Sequence, residues 1–433
     1  MEWMWQLRID NDGFPDLFIT GYPVCALFHN GTVTEVKDKA GVRNAGEWAA
    51  SAAWIDYDRD GYLDLFVANY AELSFDRQAP RCDYAGQRVY CMQTAYQGRP
   101  PKLFHNNGDG TFTDVSSKSG IAGYTGRAFG VVSIDIDGDC WQDLFVAHDA
   151  SPNLLLMNRR DGTFEDRALK TEVAFSADGN ACSGMGVDAA DFNADGRPDF
   201  TVTNFNDEYH ALYLNLPKLP FREWTDESGL AKFTKPFVGW GTHFLDYDND
   251  GLVDLLTANG HINEFIDKTR RHVSYKERPL LVRNTGTVFE NISDRAGSAF
   301  RTGYLARGLA VGDFDNDGDT DAVFVCLNDK SVLLRNNVGQ SRAWIGFDSQ
   351  GTRSNRDAIG AKLMVRNHGR ILVRWITGGS SFLSSHDRRV LFGLGGGYAT
   401  GAVAVEIHWP SGSVQTVPGL KPKQYHKIIE GRG

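Results

Sequence analysis

The sequence predicts an all-β protein, a β-propeller with six repeats visible and six or seven blades, followed by a small β-sandwich-like domain. Three observations predict it. An aspartate-rich turn recurs six times, short apolar or small-residue runs flank the copies, and residues 341–433 drop the turn but keep strand-like runs broken by glycine and proline.

The turns read RIDNDGFPD, DYDRDGYLD, DIDGDCWQD, DFNADGRPD, DYDNDGLVD and DFDNDGDTD, starting at positions 8, 56, 135, 191, 246 and 313. Successive differences are 48, 79, 56, 55 and 67 residues, and a period near fifty signals propellers or related repeat folds. The runs before them (SAAWID, FGVVSID, GTHFLD, GLAVGD) and after them (DLFVAN, DLFVAH, DFTVTN, DLLTAN, DAVFVC) are four to six residues long and often unalternating. Such runs suit strands covered on both faces. Further strands follow in LFHNNGDGTFTDVS, LLLMNRRDGTFEDRA, LYLNLPKLPFREWT and LLVRNTGTVFENIS. Four short strands per unit make a propeller blade.

Each turn carries the donor set of a calcium loop. Alternate positions 1, 3 and 5 aim oxygens at one point, glycine at position 6 allows the bend, position 7 offers its carbonyl, and the aspartate at position 9 closes the shell. The expected ligands are Asp56, Asp58, Asp60 and Asp64; Asp135, Asp137, Asp139 and Asp143; Asp191, Asn193, Asp195 and Asp199; Asp246, Asp248, Asp250 and Asp254; and Asp313, Asp315, Asp317 and Asp321. The first turn has Arg8 in place of its first carboxylate, so Asp10, Asp12 and Asp16 should bind more weakly. In the third turn Cys140 replaces glycine, and its β-carbon makes a positive-φ bend harder. An EF-hand would need flanking helices, whereas these flanks read as strands.

The motifs resemble the FG-GAP or VCBS repeats of integrin-α-like propellers. The tail resembles the ASPIC/UnbV domain, on the evidence of TRSNRDAIGAKLMVR, GGSSFLSSHDRRVLFGLG and VEIHWPSGSVQTV. The resemblance implies a propeller over residues 1–340 and the tail domain over 341–433. The chain opens inside a repeat, so the first blade is expected to be incomplete. An insertion is expected at about 70–100, where the spacing is longest. There Cys82 and Cys91 are expected to pair, if the compartment is oxidising, and the other four cysteines to stay unpaired. Within the tail, the Gly378-Gly379-Ser380 signature reads most simply as a turn, and Arg374 as part of a solvated face.

Net charge is −10, which five divalent ions would cancel, so acidity calls for no basic partner. No basic run or aromatic–arginine motif points to nucleic acid, and no apolar stretch approaches the roughly 18 residues of a membrane helix. Calcium loops of this kind fill at about 10⁻⁴ to 10⁻³ M in extracellular modules, which makes an extracellular or periplasmic setting the expectation.

Nothing in the sequence reads as a catalytic motif. Counting thirteen residues on from each turn's first position gives Asn69, His148, Asn204, Asn259 and Cys326; counting six back gives Ala50, Phe129, Met185, Trp240 and Arg307. Both sets should lie at the hairpin ends away from the turns, around one mouth of the channel. With Trp48, Arg127 and His261 nearby, this ring could hold a ligand, against the plainer reading that strand-end asparagines bond to local backbone. Two functions remain: a calcium-binding extracellular module for a protein, glycan or small molecule, or a calcium-dependent enzyme acting on a natural-product-like substrate at that mouth. A flat rim with exposed aromatics favours the first; a concave pocket with convergent acid and base favours the second.

Overall fold

The computed structural model describes residues 3–7, 9–30, 34–73, 80–84, 86–218, 220–367, 369–396 and 401–432. Six antiparallel sheets follow one another along the chain, each built around one aspartate turn. The first, expected to be incomplete, has all four strands: Trp3–Leu7, Asp16–Thr20, Ala26–His29 and Thr34–Glu35. The opening residues themselves supply its first strand. Blade 2 uses Ala49–Ile55, Asp64–Asn69, Lys102–Asn106 and Phe112–Asp114. Blades 3, 4 and 5 repeat the pattern, starting at Ala128–Ile134, Val187–Ala190 and Gly239–Leu245. Blade 6 has three described strands, Ala306–Gly312, Asp321–Cys326 and Val332–Leu334.

The unalternating strands are covered on both faces, as the seven buried residues of Ala49–Ile55 show. Successive blades share cores: blades 2 and 3 meet through Ile55, Phe66, Val131 and Leu144, and blades 3 and 4 through Phe145 and Phe200. Phe192 and Leu255 join blades 4 and 5, and Leu256 and Phe324 join 5 and 6. The insertion lies between the second and third strands of blade 2. It contains a small hairpin, Cys82–Tyr84 with Gln87–Val89, closed by the Cys82–Cys91 disulfide. Cys25, Cys140, Cys182 and Cys326 are unpaired.

The tail forms two sheets. Ala343–Gln350 lies between Val390–Gly395 and Tyr425–Ile429, and the second sheet runs in the order Arg370–Trp375, Lys362–Asn367, Val403–His408, Val414–Leu420. Its core is continuous with that of blades 1 and 2, since Ile345, Phe347 and Leu363 join Phe18, Trp54 and Leu65 in one cluster.

Cys140 has φ +68°, in the region where Gly61, Gly196, Gly251 and Gly318 take +86° to +94°. A left-handed conformation costs a residue with a β-carbon about 1–2 kcal/mol, which the extra unfolded-state freedom of glycine partly offsets. Cys140→Gly should therefore raise stability by about 0.5–1 kcal/mol in urea denaturation.

Candidate functional site: the aspartate turns and the channel finger

Every turn is knitted by its own carboxylates. In blades 3 to 6 the first aspartate accepts the backbone N–H groups of positions 5 and 6: Asp246 takes Asp250 and Gly251 at 2.9 and 2.8 Å, and Asp313 takes Asp317 and Gly318 at 3.1 and 2.9 Å. Position 5 accepts from position 7, as Asp60 does from Tyr62 at 2.8 Å. The ninth-position aspartate uses both oxygens. Asp143 holds Ile136 N–H at 3.0 Å and Asn158 N–H at 2.8 Å, and Asp16, Asp64, Asp199, Asp254 and Asp321 hold equivalent pairs. The asparagine tied down in this way then donates to position 2 of the preceding blade: Asn106 to Ile9 O, Asn158 to Tyr57 O, Asn215 to Ile136 O, Asn284 to Phe192 O and Asn336 to Tyr247 O. The turns therefore staple blade to blade. A ligand role for position 9 does not by itself reveal this staple, although the asparagine recurs openly in LFHN, LLMN, LYLN, LVRN and LLRN.

The same oxygens fit a divalent cation. Donor atoms of Asp56, Asp58 and Asp60, of Asp135, Asp137 and Asp143, and of Asp246, Asp248 and Asp250 lie within 4.8 Å of one another in each trio. Burial, with Asp64 and Asp60 beside it, pushes the Asp56 carboxyl up to about 8, and burial lifts Asp64 and Asp246 to about 7. Asp143, Asp199 and Asp254 rise well above the carboxylate range, again through burial. Asp58 Oδ1 is buried with no hydrogen bond. In blade 2 no lysine or arginine among the described residues pairs with these carboxylates, and packed carboxylates without matching positive charge are what a cation would relieve. In blade 3 Arg160 pairs with Asp139, and in blade 5 Arg283 pairs with Asp250 at 2.7 Å and Arg342 with Asp248 at 2.9 Å. In blade 4, Asn193 donates to Asp195 at 2.9 Å. In blade 1 Asp10, Asp12 and His29 converge, and Arg8 lies outside the described residues.

The tail covers the turn end of the propeller. Tyr425 donates to Asp313 Oδ2 at 2.9 Å, Lys362 donates to Gly196 O at 2.7 Å, and Arg389 donates to Asp313 O at 2.7 Å. Burial raises the Asp191 carboxyl to about 6 and the Asp246 carboxyl to about 7, and the charge of Arg374, expected on a solvated face, offsets part of both shifts. The tail strands turn their basic residues inward because the turns present concentrated negative charge there.

From this platform residues 378–387 climb into the channel. Gly378 O accepts Trp54 N–H at 2.6 Å, two residues before the blade 2 turn. Ser381 exchanges backbone bonds with Val187 at 3.2 and 2.6 Å, and its Oγ accepts from Thr242 N–H and donates to Leu309 O. These three residues each stand four before their turns. Phe382 reaches the level six before, with ring centroids 5.3 Å from Phe129 and 4.8 Å from Trp240. The chain reverses at Leu383, φ +49°, and Asp387 N–H returns to Val311 O at 2.9 Å. Gly378 and Gly379 serve this insertion and not a turn alone: a β-carbon at Gly378 would stand 1.7 Å from Trp54 O, and one at Gly379 would stand 2.8 Å from Val131 O.

The predicted mouth residues do gather at the far end, as the pairings Ala49 with Asn69, Ala128 with His148 and Gly239 with Asn259 require. Their polar groups serve the chain. Asn69, Asn204 and Asn259 donate to Pro100 O, Tyr209 O and Arg278 O, the local backbone bonding weighed as the plainer reading. His148 Nδ1 lies 2.7 Å from Pro152 O, and burial lowers its pKa to about 4. Arg127 donates to Asp149 O, Tyr96 O and Ala150 O; His261 Nε2 meets Asn206 Oδ1 at 3.1 Å. Arg307 donates to Gly260 O and His261 O and stacks 4.3 Å over Trp240. Trp48, Tyr70, Phe129, Phe382 and Trp240 form a continuous ring-to-ring series across the opening.

Between the returning limb of the finger and blades 4 to 6 lies a cavity of about 160 Å³, lined among others by Asp188, His243, Ser380, Ser385 and His386. Ser380 Oγ donates to Asp188 Oδ1 at 2.6 Å, Phe244 N–H donates to Oδ2 at 2.7 Å, and the His243 and His386 rings stack at 4.0 Å. Burial raises the Asp188 carboxyl, but His243, His386 and the Ser380 bond outweigh it and hold it below the usual range. The group is not a hydrolase triad. His386 Nδ1 accepts Val311 N–H, so the neutral ring carries its proton on Nε2, facing Ser380, and cannot take the serine's proton. A sequence signal existed: three before each turn of blades 2 to 6 stand Ala53, Val132, Asp188, His243 and Ala310, so adjacent blades break an apolar rule.

Repeated blades, each closed by an aspartate turn and joined to a C-terminal domain, define a β-propeller of acidic-turn repeats. The chain belongs to the FG-GAP-like repeat family, whose model matches residues 8–67, 90–146, 135–202 and 191–257, and it ends in an ASPIC and UnbV domain matched over 351–433. It is similar to cartilage acidic protein 1 of Homo sapiens, 28% identical over 372 residues, covering 84% of this chain and 50% of the relative. The Xenopus tropicalis protein of the same name is 27% identical over 390 residues, covering 88% and 54%. The chain thus spans about half the length of the curated relatives it matches. Among solved structures, an Agrocybe aegerita lectin recognising non-reducing terminal N-acetylglucosamine aligns with TM-score 0.42 and 14% identity, covering 78% of this chain and 83% of its own. An exotype rhamnogalacturonan lyase aligns with TM-score 0.38 and 12% identity, covering 98% and 72%. No helix among the described residues is long and apolar enough to cross a membrane.

Proposed function

We propose that this protein is a calcium-stabilised binding module working outside the cytoplasm, and that it meets its partner, a protein or glycan, at the channel mouth. The observation that carries this reading is the mouth itself. It is filled by the chain's own Phe382, while Tyr90 and Met92 beside the disulfide hairpin are 81% and 69% exposed. The segment that follows the hairpin is tied to the mouth, where Gln93 donates to Ser183 Oγ at 3.1 Å and Tyr96 O accepts from Arg127 at 3.3 Å. A closed rim with exposed large side chains suits a macromolecular surface better than a small substrate. Tyr90→Ala/Met92→Ala should leave melting unchanged and abolish binding to the ligand that a panel of secreted proteins and glycans identifies. Equal binding by the variant would move the interface elsewhere.

Calcium supports this module from the opposite end. At about 1 mM calcium and a dissociation constant near 10⁻⁴ M, each filled turn adds about 1.4 kcal/mol to stability. Excess EGTA should lower the melting temperature, and an unchanged melt with no ion by metal analysis would remove calcium from the reading. The metal-free protein should also lose stability as pH rises from 5 to 8. Folded-state pKa values of about 7 to 8 at Asp64, Asp246 and Asp56 exceed the unfolded value near 4, so their contribution is complete below pH 4 and is lost as pH climbs through 7 to 8.

The enzyme reading keeps one observation, the Asp188–His243 cavity. It moves that reading from the mouth to the turn side of the finger. Ordered density for a small polar molecule there in a crystal structure would support it, and a dry cavity would not.

A further inference from the structure

We propose that the outer edge of blade 6 is a docking site for an extended segment of a partner polypeptide, read as Phe-Glu, then Asp or Asn, then any residue, then Ser or Thr. Blades 1 to 5 are four-stranded. The third strand of blade 6, Val332–Leu334, has Asp321–Cys326 on one side and no described strand on the other. That side presents unpaired backbone groups, and Leu333 is 57% exposed. The finger bonds to first strands, at Trp54, Val187 and Val311, so this edge lies two strands outward from it and apart from the mouth.

The chain itself shows what such an edge takes. Blades 2 to 5 bring Phe112, Phe164, Phe221 and Phe289 to the start of their fourth strands, all buried. Phe112, Phe164 and Phe289 stand opposite the third-strand asparagines Asn106, Asn158 and Asn284. Each phenylalanine also shares a core with a turn of the preceding blade or its flanks: Phe112 with Ile9, Phe164 with Tyr57, Phe221 with Ile136, and Phe289 with Phe192. Blade 6 offers the same two neighbours, Asn336 and the Tyr247 whose carbonyl Asn336 holds, but no fourth-strand phenylalanine among the described residues. Tyr247 is accordingly only half-buried.

The register beyond the phenylalanine is as specific. Three residues on, the N–H groups of Val115, Trp224 and Ile292 donate to Leu103 O, Leu212 O and Leu281 O at 2.9, 2.7 and 3.1 Å. The same leucines donate back to Ser116 Oγ, Thr225 Oγ1 and Ser293 Oγ, each at 3.0 Å. Leu333 is their counterpart, since it faces Val323 as Leu281 faces Leu256, two residues after the ninth-position aspartate. Charge selects the residue after the phenylalanine. In blade 5 Arg283 lies opposite Glu290. Arg335 takes that place in blade 6, and its side chain is 53% exposed. A free strand edge with one aromatic slot and one charge is how extended peptides are recognised.

The test titrates the full chain into a labelled peptide of residues 287–294, the fourth strand of blade 5, and reads fluorescence anisotropy. Saturable one-to-one binding is expected. Phe289→Ala in the peptide should weaken it at least about tenfold. N-methylation at Ile292, which removes the N–H meant for Leu333 O, should do likewise. Arg335→Glu in the protein should weaken the parent peptide, and a Glu290→Lys peptide should recover binding to that variant alone, which places the site at blade 6. Tyr90→Ala/Met92→Ala should bind the peptide as the parent does, so this inference and the mouth reading fail separately. No saturable binding by about 1 mM peptide overturns the proposal, as does binding indifferent to the phenylalanine, the N-methyl group and the charge exchange. Self-association of the chain that the peptide reverses would give the edge to a second copy and overturn a different partner.

Discussion

Phe382→Ala should cost about 3–5 kcal/mol of folding stability, the range for truncating a buried aromatic. Its ring is 3% exposed and packs among Phe129, Trp240, Met185 and Val238 at the top of the channel. The finger below it is held by backbone bonds at Gly378 and Ser381, so the chain should stay threaded and leave a cavity rather than collapse. A dry cavity lined by apolar side chains binds small apolar molecules. Benzene should therefore recover part of the lost stability in the variant and do nothing for the parent. Gly378→Ala should be harsher in kind. Its β-carbon would meet Trp54 O at 1.7 Å, so the finger itself must move. If Phe382→Ala melts like the parent, the finger does not occupy the channel in solution, and the closed mouth behind the proposed function goes with it.

What could be read from the chain divides along a physical line. The blades were legible because each is a local hairpin whose turn, flanking strands and spacing recur within about fifty residues. The third-strand asparagines were visible but mute, because their partners are far away: Asn106 reaches back 97 residues to Ile9. The finger was misread because Gly378, Gly379, Ser380 and Ser381 carry no hydrophobic period and look like any turn. Small size is what lets them pass between Trp54 and Val131, and only the assembled channel reveals that demand. A boundary near residue 340 likewise separates strand patterns but not cores, since Ile345 and Phe347 pack with Phe18 and Trp54. The mouth residues were placed at the right end of the hairpins. What arithmetic could not supply was the local carbonyls that Asn69, Asn204 and Asn259 bond, or the arrival of Phe382 between Phe129 and Trp240.

The blade-to-blade staple seen at the aspartate turns and the calcium role proposed for them should be separated by a pair of substitutions. Asp143 is 2% exposed, and its two oxygens accept the N–H groups of Ile136 and Asn158. Asp143→Ala leaves both donors buried and unpaired, at about 1–3 kcal/mol each, so a loss of about 3–5 kcal/mol is expected whether or not metal is present. The damage should spread, because Asn158 also donates to Tyr57 O across the blade boundary. Asp137, at position 3 of the same turn, is exposed and belongs to the same donor trio. Asp137→Asn, which keeps a carbonyl oxygen as Asn193 does in blade 4 but removes the charge, should cost up to about 1.4 kcal/mol in about 1 mM calcium and almost nothing in EGTA, since only the bound ion distinguishes the two side chains there. Urea denaturation of both variants, with and without calcium, gives four differences that the two roles predict separately. If the Asp143→Ala penalty disappears in EGTA, position 9 works chiefly as a metal ligand and the backbone staple contributes little. If it persists unchanged, the ninth aspartate is fixed by blade assembly, and ion preference is left to positions 1, 3 and 5 and to whatever side chain the third strand sends into the turn.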